Sequence, residues 1–367
     1  MTEPREWVRN IDFGLILAVL GLTAFSLVTL YSISLGSAAS GPFAYKQAVW
    51  VAGGLVIMTI VAFLDYSRLR HYMPFIYGAN IFLLVVIFLI GKMALGAQRW
   101  IEIGGFRFQP SEFSKLLIVL TLGAMLAERK GEIEGWRDIF LAGAHVSPVI
   151  ALILVQPDLG TALILIAIMA GMLIAAGIKP KQIAVLGAAT YVAIGLVFKF
   201  QLLQAYQMRR LTVFLNPDID PLGSGYNLRQ SIIAIGSGGI FGKGLFSGTQ
   251  SRLDFLPPAV RHTDFIFAVI GEELGFIGGA VLLALVLLLL VRTFRIAALS
   301  RNHYGLLIAC GIGSMWIFQV LVNIGMTIGI MPVTGIPLPF VSYGGSSMLM
   351  NMAAVGLLLN IYRRRWT

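Results

Sequence analysis

The chain is 367 residues long, 58% hydrophobic and only 12% charged, with a mean hydropathy of +0.87. A soluble domain carries about a quarter charged residues, so this composition excludes a soluble globular protein. The 27 Lys and Arg against 17 Asp and Glu give a formal charge of +10, but they are dispersed without a reading helix or stacking platform, which excludes nucleic-acid binding.

Apolar runs of roughly 17–25 residues, each long enough to cross a bilayer, recur along the whole length. They fall near 12–33, 45–63, 75–92, 112–128, 138–156, 159–177, 182–199, 264–292, 304–329 and 345–362. The pattern predicts an all-α polytopic membrane protein of about ten transmembrane helices, with 1–367 as a single integral-membrane domain. The first run is longer than the roughly 7–15 residues of a signal-peptide core, so it reads as a retained span despite Gly36-Ser37-Ala38-Ala39-Ser40 after it. With both termini cytoplasmic, the inside loops are short and basic: Arg5/Arg9, Arg68/Arg70, Arg129/Lys130/Arg137, Lys179/Lys181, Arg292/Arg295/Arg301 and Arg363–Arg365. Outside, Lys46 and the Lys92–Arg107 loop are the exceptions, and the alternation follows the positive-inside rule. Cys310 is the only cysteine, and the four His have no ligand spacing, so neither a disulfide nor a metal site is expected. His71, His145 and His303 read as interfacial or packing residues.

Taken along the chain, the first charged pair within a span is Glu112 and Lys115, in Gln109-Pro110-Ser111-Glu112-Phe113-Ser114-Lys115. Three residues apart on one helix face, they pair with each other, or Lys115 offers its charge to a substrate phosphate. Gln156-Pro157-Asp158-Leu159-Gly160-Thr161 is an external polar turn. Residues 200–262 form a connection of about 60 residues, far above the usual loop, between spans seven and eight. Its aromatic residues and the run Ser231-Ile232-Ile233-Ala234-Ile235 argue for a large ordered extracytoplasmic loop holding a short interfacial helix. Its charge leans basic, which suits an anionic ligand such as a lipid diphosphate. Gly236–Gly244 resembles a phosphate loop but has Ser237 and Gly244 where a P-loop needs Gly and a hydroxyl, leaving only the option of an anion-binding nest.

Asp264, Glu272 and Glu273 follow, and an acid inside a span marks a functional site by default. Asp264 stands at the start of the eighth span, where the helix dipole favours the ionised form. It reads either as a capping acid or as a general base facing a cavity at the outer leaflet. Glu272 and Glu273 lie about 12–13 Å deeper and are expected to make structural contacts between helices, with Gly271 and Gly275 letting a neighbouring helix approach closely. The prolines and Gly-Gly-Ser-Ser of Pro332–Ser347 predict irregular backbone at membrane depth.

Together these motifs resemble the SEDS family of bacterial cell-wall proteins over nearly the whole chain. Arg99-Trp100, Gln109–Lys115, Gln156–Thr161, Tyr206-Gln207 with Arg210, Gly223–Gly239, His262–Phe267, Glu272–Gly275 and Pro337–Ser347 all look like family signatures. Gly248-Thr249-Gln250, Phe255-Leu256-Pro257 and Thr334-Gly335-Ile336-Pro337 favour the elongation-type branch. At Pro258-Ala259-Val260 the chain lacks the acid that relatives usually carry there. The resemblance implies an inverting peptidoglycan glycosyltransferase that polymerises lipid II during cell elongation in the bacterial cytoplasmic membrane. It implies a class B penicillin-binding protein and other elongation-complex membrane proteins as partners. Asp264 is then the catalytic base, and Lys115, Glu112, Arg210, Gln156, Asp158, His262, Thr263, Ser342 and Tyr343 the substrate-binding candidates. No covalent cofactor is expected, and a divalent cation, Mg or Mn, is a candidate at the diphosphate. A lipid II flippase and a non-catalytic scaffold are the competing classes.

Overall fold

A computed structural model of the chain describes residues 11–36, 42–94, 97–104, 106–129, 133, 135–200, 204–221, 223–253, 255–258 and 260–365. Arg5, Arg9, the 37–40 stretch, Lys130, Asp254 and Ala259 lie outside the described residues.

In a hydrocarbon solvent every backbone N–H and C=O must find a partner inside the protein, so the apolar runs form helices. They are α1 (Phe13–Gly36), α2 (Phe43–Phe63), α3 (Met73–Ile90), α4 (Pro110–Glu128), α5 (Trp136–Val155), α6 (Leu159–Ala175) and α7 (Pro180–Lys199). After the long connection come α10 (Ile266–Ala298), α11 (His303–Thr327) and α12 (Gly345–Arg363). Among the described residues nine helical segments are long and apolar enough to cross a membrane, and α6, at 17 residues, is a shorter tenth. Pro74, Pro110 and Pro180 sit in the first turns of α3, α4 and α7, where a missing N–H leaves no hydrogen bond unmade. Helices α4, α11 and α12 form the buried centre, whereas α7 is exposed along nearly its whole length. Aromatic side chains such as Phe75, Phe140 and Tyr191 point outward, as a lipid-facing surface requires.

Two elements at one end of the bundle position the site. The α3–α4 connection is a three-stranded antiparallel sheet, β1 (Lys92–Ala94), β2 (Ala97–Ile103) and β3 (Phe106–Phe108), a feature absent from the span pattern. The long connection carries α8 (Ala205–Leu215) and α9 (Ser224–Gly238), so the helix there is three times the length of the 231–235 run. Asp220 prepares α9 by accepting from the Ser224 amide at 2.8 Å and from Arg209 at 2.9 Å.

Helix α10 is not continuous. Gly275 has φ 63° and ψ −159°, which breaks the helix, and the turn after α9 fills the break. The Phe276 and Ile277 amides donate to the Gly239 and Ile240 carbonyls at 2.9 and 3.1 Å. In return the Lys243 and Gly244 amides donate to the Glu272 and Glu273 carbonyls, both at 3.0 Å. This exchange corrects two expectations. Gly275 serves a helix break rather than a helix–helix contact, although Gly271 does pack against Ile235 of α9. The glycine-rich segment is not free to form an anion nest, because the Gly239 and Gly242 amides donate to the Gly236 and Gly238 carbonyls and those of Lys243 and Gly244 to carbonyls of α10.

The opposite end is basic and tied by ion pairs: Arg292 with Asp12 at 3.8 Å, Arg364 with Asp65 at 3.4 Å, Arg70 with Glu128 at 3.8 Å, and Arg129 with Asp138. These charges gather at one end, as the alternation of basic loops requires.

The Gly242–Gly275 contact admits no side chain. Gly242 has φ 80°, and a Cβ there would stand 2.1 Å from the Glu273 carbonyl oxygen. Gly242→Ala and Gly275→Ala are expected to lower the thermal unfolding midpoint of the purified protein markedly. Gly236→Ala, where a Cβ meets nothing within 4 Å, should leave it within a degree or two; equal midpoints for all three would show that the break is not structural.

Candidate active site

The segment leading into α10 coils once before the helix begins. The Thr263, Asp264 and Phe265 amides all donate to the Val260 carbonyl, at 3.2, 3.0 and 3.1 Å. The helix starts at Ile266 with Phe265 as its N-cap, so Asp264 stands just ahead of the span rather than within it. Its carboxylate meets the Thr263 hydroxyl instead of capping the helix.

The backbone of this turn is held on both sides. Asn323 of α11 donates through Nδ2 to the Asp264 carbonyl at 3.1 Å and to the Ile336 carbonyl at 2.8 Å. Ser342 donates to the Thr263 carbonyl at 2.6 Å while accepting from the Leu338 amide at 2.8 Å. The Tyr343 amide donates to the His262 carbonyl at 2.9 Å. Gln47 of α2 donates to the Ser342 carbonyl at 3.2 Å and accepts from the Gly344 amide at 3.3 Å. The irregular 332–344 stretch therefore lies between α11 and the Asp264 turn, and side-chain amides and hydroxyls satisfy it.

Charge converges on the carboxylate from three directions. Arg210 of α8 donates to the Thr334 carbonyl at 3.1 Å, and a Cβ on the neighbouring Gly335, at φ 78°, would stand 3.6 Å from Asp264 Oδ2. Arg99 of β2 donates to the Gln156 carbonyl at 2.9 Å and to the Pro157 carbonyl, and lies 3.9 Å from Asp158. Asp158 in turn caps α6, accepting from the Thr161 amide at 3.2 Å and its hydroxyl at 2.9 Å. Burial pushes the Asp264 carboxyl up to about 6; Arg210, the Thr263 hydroxyl and Arg99 pull it down, and Asp158 pushes it up. Desolvation thus outweighs the helix dipole that the sequence suggested would dominate. The group remains mainly ionised at neutral pH yet close to its titration point, which is where a general base works best.

His262 stacks on Phe43 with ring centroids 4.2 Å apart and meets the Tyr343 ring edge-on at 5.4 Å. Burial lowers its pKa to about 4, with Arg261 adding to the effect against a hydrogen bond to the Pro258 carbonyl, so the ring is neutral at pH 7.

Of the sequence candidates, the structure brings together Asp264, Thr263, His262, Arg210, Asp158, Gln156, Ser342 and Tyr343. Gln156 contributes its carbonyl, while its side chain donates to the Leu84 carbonyl at 3.1 Å. Lys115 is fully buried with its ammonium 2.8 Å from Glu112, the self-neutralised arrangement of the two expected. Glu272 and Glu273 hold the loop more than neighbouring helices. Glu272 accepts from Lys243 at 2.7 Å, Thr249 at 3.1 Å and the Gln250 amide at 2.8 Å; Glu273 accepts from Ser32 of α1 at 2.5 Å. Arg99, Asn323 and Gln47 were missed as site residues. Arg99 carried a signal, a cation placed against the positive-inside pattern, whereas single amides within long apolar runs carry none.

Among the described residues no three His, Cys, Asp or Glu side chains form a group that holds a metal. At the site Asp264 has one acidic neighbour, Asp158, and Arg210 and Arg99 add two positive charges beside them. This donor set does not fit a protein-held dication.

Residues 13–366 match the family model of the FtsW, RodA and SpoVE cell cycle proteins. The chain is 38% identical over 359 residues to the peptidoglycan glycosyltransferase MrdB of Escherichia coli K12, covering 97% of this chain and 94% of that one. It is 39% identical over 361 residues to stage V sporulation protein E of Bacillus subtilis, covering 96% and 97%. Among solved structures it is similar to a chain from a peptidoglycan synthase complex that coordinates polymerization and crosslinking, with a TM-score of 0.83, 34% identity and 97% and 99% coverage. It is also similar to the rod shape determining protein RodA of Thermus thermophilus, with a TM-score of 0.72, 32% identity and 97% and 98% coverage.

Two predictions follow from this geometry. An acid whose folded pKa is raised above its unfolded value destabilises the fold once ionised. The penalty of Asp264 is therefore absent below about pH 4, grows between pH 4 and 6, and is complete above that. Asp264→Asn should raise the thermal midpoint at pH 7.5 by more than at pH 4.5; an equal shift at both would show that the carboxyl is not desolvated. At the buried pair, Lys115→Met or Glu112→Gln alone should destabilise by about 3–5 kcal/mol, and the double variant by less than either single change in denaturant melts.

Proposed function

The chain belongs to the FtsW, RodA and SpoVE family, the SEDS proteins its motifs resemble, and on that premise we propose that it is a peptidoglycan glycosyltransferase with Asp264 as its general base. The single observation that carries the proposal is a half-buried carboxylate, raised to about 6, facing Arg210 and Arg99 just ahead of a span. The substrate of this reading is lipid II, a disaccharide-peptide α-linked to an undecaprenyl diphosphate, and the product linkage is β. Inversion needs a base that deprotonates the acceptor hydroxyl on the face opposite the departing group.

Asp264 takes that proton as the acceptor oxygen attacks the anomeric carbon. The bond from that carbon to the diphosphate oxygen breaks in the same step, and its electron pair leaves with the diphosphate. The leaving group needs no proton, but it gains negative charge, which Arg210 is positioned to stabilise. The Glu112 contact already neutralises Lys115, so Arg210 is the better of the two candidates. A divalent cation, where one takes part, comes with the substrate diphosphate rather than from a protein cage. Neutral His262 and Tyr343 offer apolar ring surface beside the base for a sugar.

The end bearing the sheet, α8, α9 and Asp264 faces outward in this reading. The basic end then faces the cytoplasm, with the chain multi-pass in the bacterial cytoplasmic membrane. The partner is a class B penicillin-binding protein. The peptidoglycan synthase complex among the structural relatives supports that assignment. Motifs at Gly248-Thr249-Gln250 and Thr334–Pro337 favour a role in elongation over one in division.

Purified protein with its penicillin-binding partner should polymerise lipid II into glycan chains, and Asp264→Asn should cut the rate by at least about 100-fold while the variant still folds and binds the partner. The wild-type rate should fall about tenfold per pH unit below pH 6, as protonation removes the base. An intact complex that makes no polymer, yet moves lipid II between vesicle leaflets, would favour the flippase instead.

A further inference from the structure

At the basic end, away from Asp264, α3, α4, α5 and the turn at Arg70–Tyr72 line an open groove of about 680 Å³ bordered by Arg70, His71, Tyr77, Thr121, Met125 and His145, among others. Its volume is within the roughly 300–1,000 Å³ range of small-molecule sites. The lining is ordered by depth. Arg70 and His71 stand at the rim with Glu128, which pairs with Arg70 at 3.8 Å. Met73, Pro74, Ala124 and Met125 form apolar walls. Thr121 lies seven residues from Glu128 along α4, about 10 Å deeper. There His145 Nε2 meets the Thr121 hydroxyl at 3.0 Å, and the His145 ring stacks on Tyr77 at 4.4 Å, whose hydroxyl donates to the His145 carbonyl at 2.8 Å.

An imidazole in the middle of a span is rare unless it faces a cavity with polar contents. Here the order is charged rim, with Arg70 beside Glu128 and His71, then apolar wall, then polar floor. A glycerophospholipid presents the matching series from the interface inward: an anionic phosphate, then the glycerol esters, with an acyl chain alongside. We infer that this groove is a binding site for an anionic phospholipid of the leaflet at the basic end, with its phosphate at Arg70 and His71 and its ester region reaching toward Thr121 and His145. Basic pockets between spans on this side of a membrane protein suit such headgroups. Glu128 opposes the phosphate, and so sets how tightly the lipid is held.

The test is native mass spectrometry of the full chain in detergent, titrated with phosphatidylglycerol or phosphatidylethanolamine. Phosphatidylglycerol should bind preferentially, and Arg70→Ala should weaken its binding by about fivefold, the factor matching ~1 kcal/mol for one interfacial cation, with His71→Ala lowering it further. Glu128→Gln should raise occupancy. Arg68→Ala, which removes a neighbouring exposed cation outside the groove, should not change it. Met125→Trp should block binding without altering charge, and thermal melts check that each variant folds. Equal binding of the two lipids, an equal loss in Arg68→Ala, or displacement by millimolar inorganic phosphate alone would overturn the proposal.

Discussion

Backbone pairing in a solvent that offers no hydrogen bonds governs this molecule. The long apolar helices meet that condition on their own, and among the described residues two breaks, at Gly275 and along 332–344, meet it through partners elsewhere. At Gly275 the broken helix exchanges four amide–carbonyl bonds with residues 239–244. Along 332–344 the backbone is met by side chains instead: Asn323 at the Ile336 carbonyl, Ser342 at the Leu338 amide, and Gln47 at the Ser342 carbonyl and the Gly344 amide, while Asn323 and Ser342 also reach the Asp264 and Thr263 carbonyls. Asn323 and Gln47 come from α11 and α2, and Ser342 from within the stretch itself. The irregular segments are therefore rigid, and Asp264 sits on a turn whose carbonyls are clamped by α11 and by Ser342.

Rigidity alone would give a carboxylate of no special strength. Its chemistry comes from what surrounds it: removal from water raises the pKa, and two guanidiniums limit the rise. Those cations are themselves held by backbone carbonyls, Arg210 by Thr334 and Arg99 by Gln156 and Pro157, which costs little charge and leaves their fields directed at the site. Asp158 moderates Arg99 while capping α6, so a helix terminus and a catalytic field share one residue.

Much of this was legible from the sequence, for physical reasons. Spans are long and solvent-selected, so all ten apolar runs became helices. Asp264, Arg210 and Asp158 stood out because charge is rare in such a chain. What escaped notice was short or sequence-neutral. The β2 strand carrying Arg99 is seven residues with no apolar alternation long enough to register, and the helix break depends on a glycine that reads equally well as a packing residue. The pKa of Asp264 ran against the dipole argument because burial by segments distant in sequence is invisible until the chain folds. Glu112 and Lys115 show the reverse, since a pair three residues apart is settled locally.

Consecutive positions on an α-helix point about 100° apart. Glu272 and Glu273 are consecutive, and both hold the 243–250 loop, Glu272 through Lys243 and the Gln250 amide and Glu273 through the Phe246 and Gly248 backbone, while Glu273 also reaches Ser32 of α1. A helix pinned at two azimuths cannot spin about its own axis, and α10 is pinned this way two turns beyond its start. A slip of 20° there would carry a side chain at the helix surface sideways by roughly 2 Å, enough to ruin alignment for a proton transfer. The paired glutamates thus work as a keyway, fixing the azimuth of the segment that begins after Asp264, while the half beyond Gly275 is held separately by packing and by Arg292 against Asp12.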